Sequence, residues 1–198
     1  MIHTFGFWTT KMFYKLNETS WIIHQRLPCK LPTFSDLWKE KPLEKEKIKM
    51  FGKTINAPRY SKAYLTDYEF SGLNHSASKE LPIGVDEIFE FCKNNISDKF
   101  NGVLINWYEP DSYIGFHSDD EKRLIPGIPI ITITLLENER EPRKFLIKSS
   151  TDVTSQFFLK HGDILVMGGN CQKTYKHAVP MSKKYKHRRI SITIRAFK

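Results

Sequence analysis

The sequence predicts an α+β chain that is mainly β: a two-sheet sandwich or jelly roll, preceded by helical segments. Three observations predict it. After Phe100 the apolar residues leave helical spacing and fall into short runs separated by turn residues, the signature of many strands. Just before that change stands one clear amphipathic helix, Val85–Ile96. The length, 198 residues, suits a single well-buried core.

From the N-terminus, residues 1–50 read as a helical and irregular extension packed on the core, and residues 51–198 as the main globular unit. Ser20 is placed to cap a short helix through Trp21, Ile22 and Ile23 that Pro28 would end. A second helix is expected from Ser35 through Leu37 and Trp38 until Pro42. The mixed-charge run Glu44–Lys49 reads as a solvated turn or helix face. In the Val85–Ile96 helix, Val85, Ile88, Phe89, Cys92 and Ile96 share one stripe, opposite Asp86, Glu87, Glu90 and Lys93. That stripe should pack on the back of a sheet. The expected strands are Gly102–Tyr108, Tyr113–His117, Pro129–Leu136, Arg143–Lys148, Gln156–Lys160, Asp163–Met167 and Arg189–Phe197. Pro110-Asp111, Pro126-Gly127, His161-Gly162-Asp163 and Gly168-Gly169-Asn170 punctuate them.

Apolar content of 40% and charged content of 27% are those of an ordinary globular protein. No stretch is long and apolar enough to span a bilayer, so no membrane partner is expected. Met1–Trp8 lacks the basic start and apolar run of a signal peptide. The three cysteines, Cys29, Cys92 and Cys171, are odd in number and widely spaced. They point to a reduced, intracellular protein of the nucleus or cytoplasm rather than a secreted one. A formal charge of +9 suits a polyanion partner, although lysine-rich chains are often merely soluble.

The chemistry-bearing residues lie in the second half. His117 and Asp119 are two apart, so on a strand end both side chains point to one face and reach one ion. Such a pair alone is a weak signal. His177, after the Gly168-Gly169-Asn170 turn and near the start of a late strand, is the natural third ligand. Two histidines and a carboxylate on one face of Fe(II) leave the opposite face open for oxygen chemistry. A catalytic zinc can use the same donors, so the ligand set alone leaves hydrolysis open. His75, His161 and His187 read as structural or solvated, with His161 shaping a turn. Arg189–Arg195 alternates strictly: Arg189, Ser191, Thr193 and Arg195 take one face, and Ile190, Ile192 and Ile194 the other. Two arginines facing inward would call for an anion, and a guanidinium pairs bidentately with a carboxylate such as that of 2-oxoglutarate; an edge strand with its polar face in water is the alternative, favoured if the metal motif is set aside.

Read together, these pieces resemble the AlkB family of Fe(II)- and 2-oxoglutarate-dependent nucleic-acid dealkylases. The matches run in family order. Phe51-Gly52-Lys53 precedes Pro58-Arg59, then come Tyr68-Glu69-Phe70-Ser71-Gly72 and Asn106-Trp107-Tyr108. Ile114-Gly115-Phe116-His117-Ser118-Asp119-Asp120-Glu121 and Pro129-Ile130-Ile131 follow. His161-Gly162-Asp163, Met167-Gly168-Gly169, His177-Ala178-Val179-Pro180 and the Arg189–Arg195 strand close the set. The resemblance implies a double-stranded β-helix core with a nucleotide-recognition lid. It implies Fe(II) on His117, Asp119 and His177, with 2-oxoglutarate and O2 as co-substrates. Arg189, helped by the Tyr108 hydroxyl, would take the far carboxylate, and Arg195 and Asn106 the chelating end, with Ile114 and Ser191 beside them. Tyr68, Ser71 and Glu121 match positions near the target base, which must leave its stack to react. Phe51, with Met50, matches a hairpin position that fills the gap left by an extruded base, and a buried hairpin aromatic explains it equally well. Arg59 and the Lys183–Arg189 cluster are offered to phosphates.

Two departures from the pattern stand out. Ser191 occupies a position where the family often carries asparagine, and the turn after the Pro129 strand is a long charged loop, Leu136–Pro142. The function implied is oxidative demethylation of N-alkylated bases, such as 1-methyladenine and 3-methylcytosine, in DNA or RNA. It would be carried out by a monomer that releases formaldehyde, succinate and CO2. A 2-oxoglutarate oxygenase acting on a protein side chain and a non-catalytic nucleic-acid-binding domain are the competing readings.

Overall fold

In the computed structural model, which describes residues 12–50, 52–70, 73–150 and 152–198 (the side chains of 49, 50, 68–70 and 73–75 apart), most of the chain is strand. In chain order come β1 (Met12–Lys15), β2 (Ser20–Arg26), α1 (Phe34–Lys39), β3 (Lys47–Met50), β4 (Lys53–Asn56), β5 (Tyr60–Tyr64), β6 (Tyr68–Phe70) and β7 (Leu73–His75). They are followed by α2 (Val85–Asn95), β8 (Gly102–Tyr108), β9 (Ile114–His117), β10 (Ile130–Leu136), β11 (Arg143–Lys148) and β12 (Val153–Leu159). β13 (Asp163–Gly169), α3 (Cys171–Thr174), β14 (Lys176–Val179) and β15 (Arg189–Arg195) complete the chain.

A seven-stranded sheet runs β1-β2-β13-β10-β15-β8-β5, and a four-stranded sheet runs β12-β11-β14-β9. Two hairpins, β3–β4 and β6–β7, form two-stranded sheets of their own. The larger sheet is covered on both faces. On one face Ile190, Ile192 and Ile194 of β15, Val103, Ile105 and Trp107 of β8, and Ile131, Ile133 and Leu135 of β10 pack against Leu37 of α1 and Val85, Ile88, Phe89 and Cys92 of α2. On the other face Ile22, Ile130, Leu165 and Met167 meet Phe145, Ile147, Phe157, Leu159 and Val179 of the smaller sheet. This is the jelly-roll sandwich with helices on its back, as the strand pattern predicts.

Local signals explain the helices. Thr33 caps α1 by accepting a hydrogen bond from the Asp36 amide at 3.2 Å. The Trp107 indole donates to the Leu37 carbonyl at 2.8 Å and so ties the end of α1 to β8. α2 begins after Gly84, whose φ of 82° is left-handed, and carries Asp86 and Glu87 in its first turn, where the helix dipole favours them.

The expected helix at Ser20–Ile23 is instead strand β2, seated between β1 and β13. Ile22 enters one core and Ile23 the other. An interior strand buried on both faces has no alternation to show, so a short apolar run reads equally as helix. β12 begins at Val153, three residues before the expected start, and β15 ends at Arg195. No helix among the described residues is long and apolar enough to cross a membrane.

Candidate active site

The strands facing the smaller sheet change character where the two sheets part. Thr132 and Thr134 of β10, Asn106 and Tyr108 of β8, and Arg189, Ser191, Thr193 and Arg195 of β15 replace the apolar residues. Register brings them together: Arg189 pairs with Tyr108 and Ser191 with Asn106 across one side, and Thr193 with Thr132 and Ser191 with Thr134 across the other. The isoleucines between them anchor the backbone to the helix-side core. These polar residues, except Thr134, line a cavity of about 540 Å³, closed from the other sheet by Ile114, Phe116, His117, Phe145, His177 and Val179.

At one end of the cavity His117, Asp119 and His177 converge, their ligand atoms all within 4.8 Å of one another. Strand pairing produces this, because His117 of β9 lies directly across from His177 of β14. The His177 ring stacks on Phe145, with centroids 5.5 Å apart and planes 14° from parallel. The His117 Nδ1 lies 2.9 Å from the Gly115 carbonyl. Asp119 is held at both ends: its amide donates to Gln172 Oε1 at 3.0 Å, and Oδ1 pairs with Arg195 Nη2 at 2.8 Å. Burial, with His117 close by, holds His177 down to about 3, so it is a neutral donor at neutral pH. Burial opposes ionisation of Asp119, but Arg195 and the two histidines prevail and hold its carboxyl at about 2. One anionic and two neutral ligands converging in a pocket suit a divalent cation.

The opposite end is cationic. Arg189 is 2% exposed. Its Nη2 donates to Thr134 Oγ1 and Ser191 Oγ, both at 3.3 Å, and the Tyr108 ring lies 4.9 Å from the guanidinium carbon. Its Nε and Nη1 have no hydrogen-bond partner among the described residues. Burial lowers its pKa, and the nearby Tyr108 and Tyr185 work against that. A buried guanidinium with two unanswered donors is costly unless an anion completes it, and a carboxylate has the matching fork. The residues present therefore fit Fe(II) at one end and a dicarboxylate reaching the other.

Several sequence-predicted residues take unexpected company. Arg59 is 6% exposed and lines the cavity, its Nε donating to Asn106 Oδ1 at 3.0 Å. Ser61 donates to the same oxygen at 2.7 Å, which turns the Asn106 amide oxygen toward β5. Glu121 pairs with Arg195 Nη1 at 2.6 Å, while its other oxygen is buried and unpartnered among the described residues. Burial raises its pKa despite Arg195. Ser191 is not an empty substitution, since its hydroxyl lies 2.9 Å from Thr132 Oγ1 and accepts from Arg189. The long loop after β10 is clamped rather than loose: Glu137 receives Arg188 Nη2 at 2.6 Å and the Arg188 amide at 2.9 Å. His161 shapes a turn, with Nδ1 3.0 Å from the Leu136 carbonyl. His187 is partly solvated, as expected, and lies 3.2 Å from Glu141. Phe51 and Ser71 lie outside the described residues, as does the side chain of Tyr68, whose backbone is in β6.

Sequence reasoning missed Thr132, Phe145 and Gln172, while it placed Thr193 on the inward face with the two arginines. The Ile130–Leu136 segment alternates Ile and Thr just as β15 does, and that repeat was the available signal for Thr132. Nothing local marks Gln172, which reaches the site from the short α3.

A family model described as the 2OG-Fe(II) oxygenase superfamily matches residues 20–195. Over 163 residues the chain is 31% identical to the DNA oxidative demethylase ALKBH2 of Homo sapiens, covering 75% of this chain and 60% of that protein. Over 129 residues it is 33% identical to the RNA replication polyprotein of Citrus leaf blotch virus, covering 65% of this chain and 6% of that one. The solved structure of OsALKBH1 aligns with a TM-score of 0.48 and 18% identity, covering 70% of this chain and 78% of that one. The chain spans between 56% and 66% of the length of the ALKBH2 relatives it matches.

Proposed function

The chain belongs to the 2OG-Fe(II) oxygenase superfamily as an AlkB-type member, and from that premise we propose that it oxidatively demethylates N-alkylated bases in nucleic acid. The observation that carries the reading is one cavity with a divalent-cation triad at one end and an unsatisfied guanidinium at the other. Fe(II), 2-oxoglutarate and O2 are the family's cofactor set, and Arg189 offers the forked donor that a dicarboxylate co-substrate needs.

His117, Asp119 and His177 would hold the iron. When bound, iron with 2-oxoglutarate and O2 supplies the oxidation that hydroxylates an N-methyl group, which departs as formaldehyde with succinate and CO2 as co-products. Arg189, with Nε and Nη1 left open among the described residues, would pair with the far carboxylate, and Ser191 and Thr134 orient its guanidinium from behind. Arg195 acts mainly on Asp119 and Glu121, fixing the ligand carboxylate and keeping it ionised, while Asn106 and Ile114 shape the chelating end. The free oxygen of Glu121 is an acceptor for a base amino group, and its charge favours cationic 1-methyladenine or 3-methylcytosine. Residues 51–198 supply this machinery; the β3–β4 hairpin, whose first strand precedes residue 51, and the β6–β7 hairpin would form the lid over the flipped base, with Phe51, Tyr68 and Ser71 proposed as base contacts. The ALKBH2 relatives are named for DNA, and the three free cysteines agree with a reducing, intracellular setting.

The test is anaerobic reconstitution with Fe(II) and 2-oxoglutarate, followed by air and an oligonucleotide carrying 1-methyladenine, read by mass. Loss of the methyl group dependent on both additions is expected, with none in Asp119→Ala. Succinate formed with a methylated peptide as the sole responsive substrate would transfer the site to protein chemistry.

A further inference from the structure

The solvent face of the four-stranded sheet has an unusual composition. None of its strands, RKFLIK, VTSQFFL, KHAV and IGFH, carries an aspartate or glutamate, in a chain with 22 of them. Alternation separates the two faces. Phe145, Ile147, Phe157 and Leu159 enter the inter-sheet core, and Lys144, Leu146, Lys148, Gln156 and Phe158 point outward.

Two aromatic–lysine pairs stand on that outer face. Phe158 is 51% exposed on the edge strand, and the Lys144 ammonium lies 5.5 Å from its ring centre, since the two are cross-strand partners. Phe116 is 39% exposed at the cavity rim, and the Lys148 ammonium lies 5.5 Å from its ring centre. Lys176, cross-strand from Lys148 and also on the rim, adds a third cation. Lys144 and Lys148 are four residues apart on β11, about 13 Å along the strand, the reach of a few nucleotides. What sets these two rings apart from other exposed apolar residues is that each stands beside a lysine on a face whose strands carry no carboxylate.

We propose that this face is a track for single-stranded nucleic acid, leading from Phe158 at the outer edge to Phe116 at the mouth of the active site. Bases stack on the two exposed rings and the lysines meet the intervening phosphates, a mode that accepts any sequence because every base has a π-face. Single strand is the occupant because a paired duplex presents no free base face to a flat sheet. The inference rests on the demethylase reading for its purpose but not for its test.

Binding is measured on the full-length metal-free chain by fluorescence anisotropy, with labelled, unmodified oligothymidylate of about 15 nucleotides as the long strand. Phe158→Ala is expected to weaken its binding about 5- to 100-fold, while Phe158→Trp restores it. Lys144→Ala is expected to flatten the dependence of log K on log salt by about 0.7. Neither residue touches the cavity, so turnover of a free methylated nucleotide should match that of the unaltered chain. Unchanged long-strand binding in both alanine variants overturns the proposal, as does tighter binding of a duplex than of its separate strands. Weakened binding without any demethylation by the unaltered chain leaves the track standing and removes the demethylase reading. Demethylation with variant-insensitive binding does the reverse.

Discussion

At the residue level Arg189 is the most exacting position in the molecule. Its surroundings hold a charge out of water while answering only part of it, and the unanswered donors specify a forked anion. Arg189→Ala should raise the 2-oxoglutarate concentration for half-maximal succinate formation about 10- to 100-fold, the worth of one or two charged hydrogen bonds. An unchanged requirement would remove the residue from the co-substrate site. His177 makes a second prediction. Its folded-state pKa of about 3 lies below the ordinary value of 6.5, so between those values the unfolded chain binds the proton and the folded one does not. The metal-free protein should therefore lose stability as pH falls from 6.5 toward 3, and His177→Gln should be flatter across that window in thermal melts.

Among the elements, β13 and β2 meet too closely to allow a side chain between them. A Cβ on Gly168 would sit 2.1 Å from the Trp21 ring, and one on Gly169 would sit 1.9 Å from the Thr19 carbonyl oxygen. Gly169 also has a φ of +67°. Gly169→Ala should cost about 2–4 kcal/mol, a fall in melting temperature of roughly 4–16 °C. Gly115→Ala, with open space around it, is the control expected to melt with the unaltered chain. The same strands show what a sequence can disclose. β15 and β8 were legible because each has one apolar and one polar face, and that alternation also exposed Arg189, Ser191 and Arg195 as inward residues. β2 was illegible because both its faces are buried, and β5 because Tyr60–Tyr64 is short and mixed in character. The inward turn of Arg59 depends on Asn106, 47 positions away, and no local pattern encodes such a meeting.

For the whole molecule, ligand binding and folding draw on one set of strands. Mn(II), which occupies such donor sets without turnover, should raise the melting temperature, and 2-oxoglutarate should raise it further. Each contributes about 2.7 kcal/mol at a hundredfold excess over its dissociation constant. Arg189→Ala should keep the first increment and lose the second, a result that needs no enzymatic activity to read. If both increments survive, the two ends of the cavity do not serve one dicarboxylate.

β15 carries this coupling furthest. Its isoleucines are locked into the helix-side core, and its arginines stand six residues apart, about 20 Å along the backbone. Neither cationic end can drift toward the other without dragging the buried helix-side core. The strand thus works as a gauge of fixed length, one arginine set against the triad's carboxylate and the other against the far wall. A diacid one methylene longer or shorter than 2-oxoglutarate meets a site that will not stretch to suit it. Chain length, more than charge, becomes the quantity by which the cavity sorts its small anions.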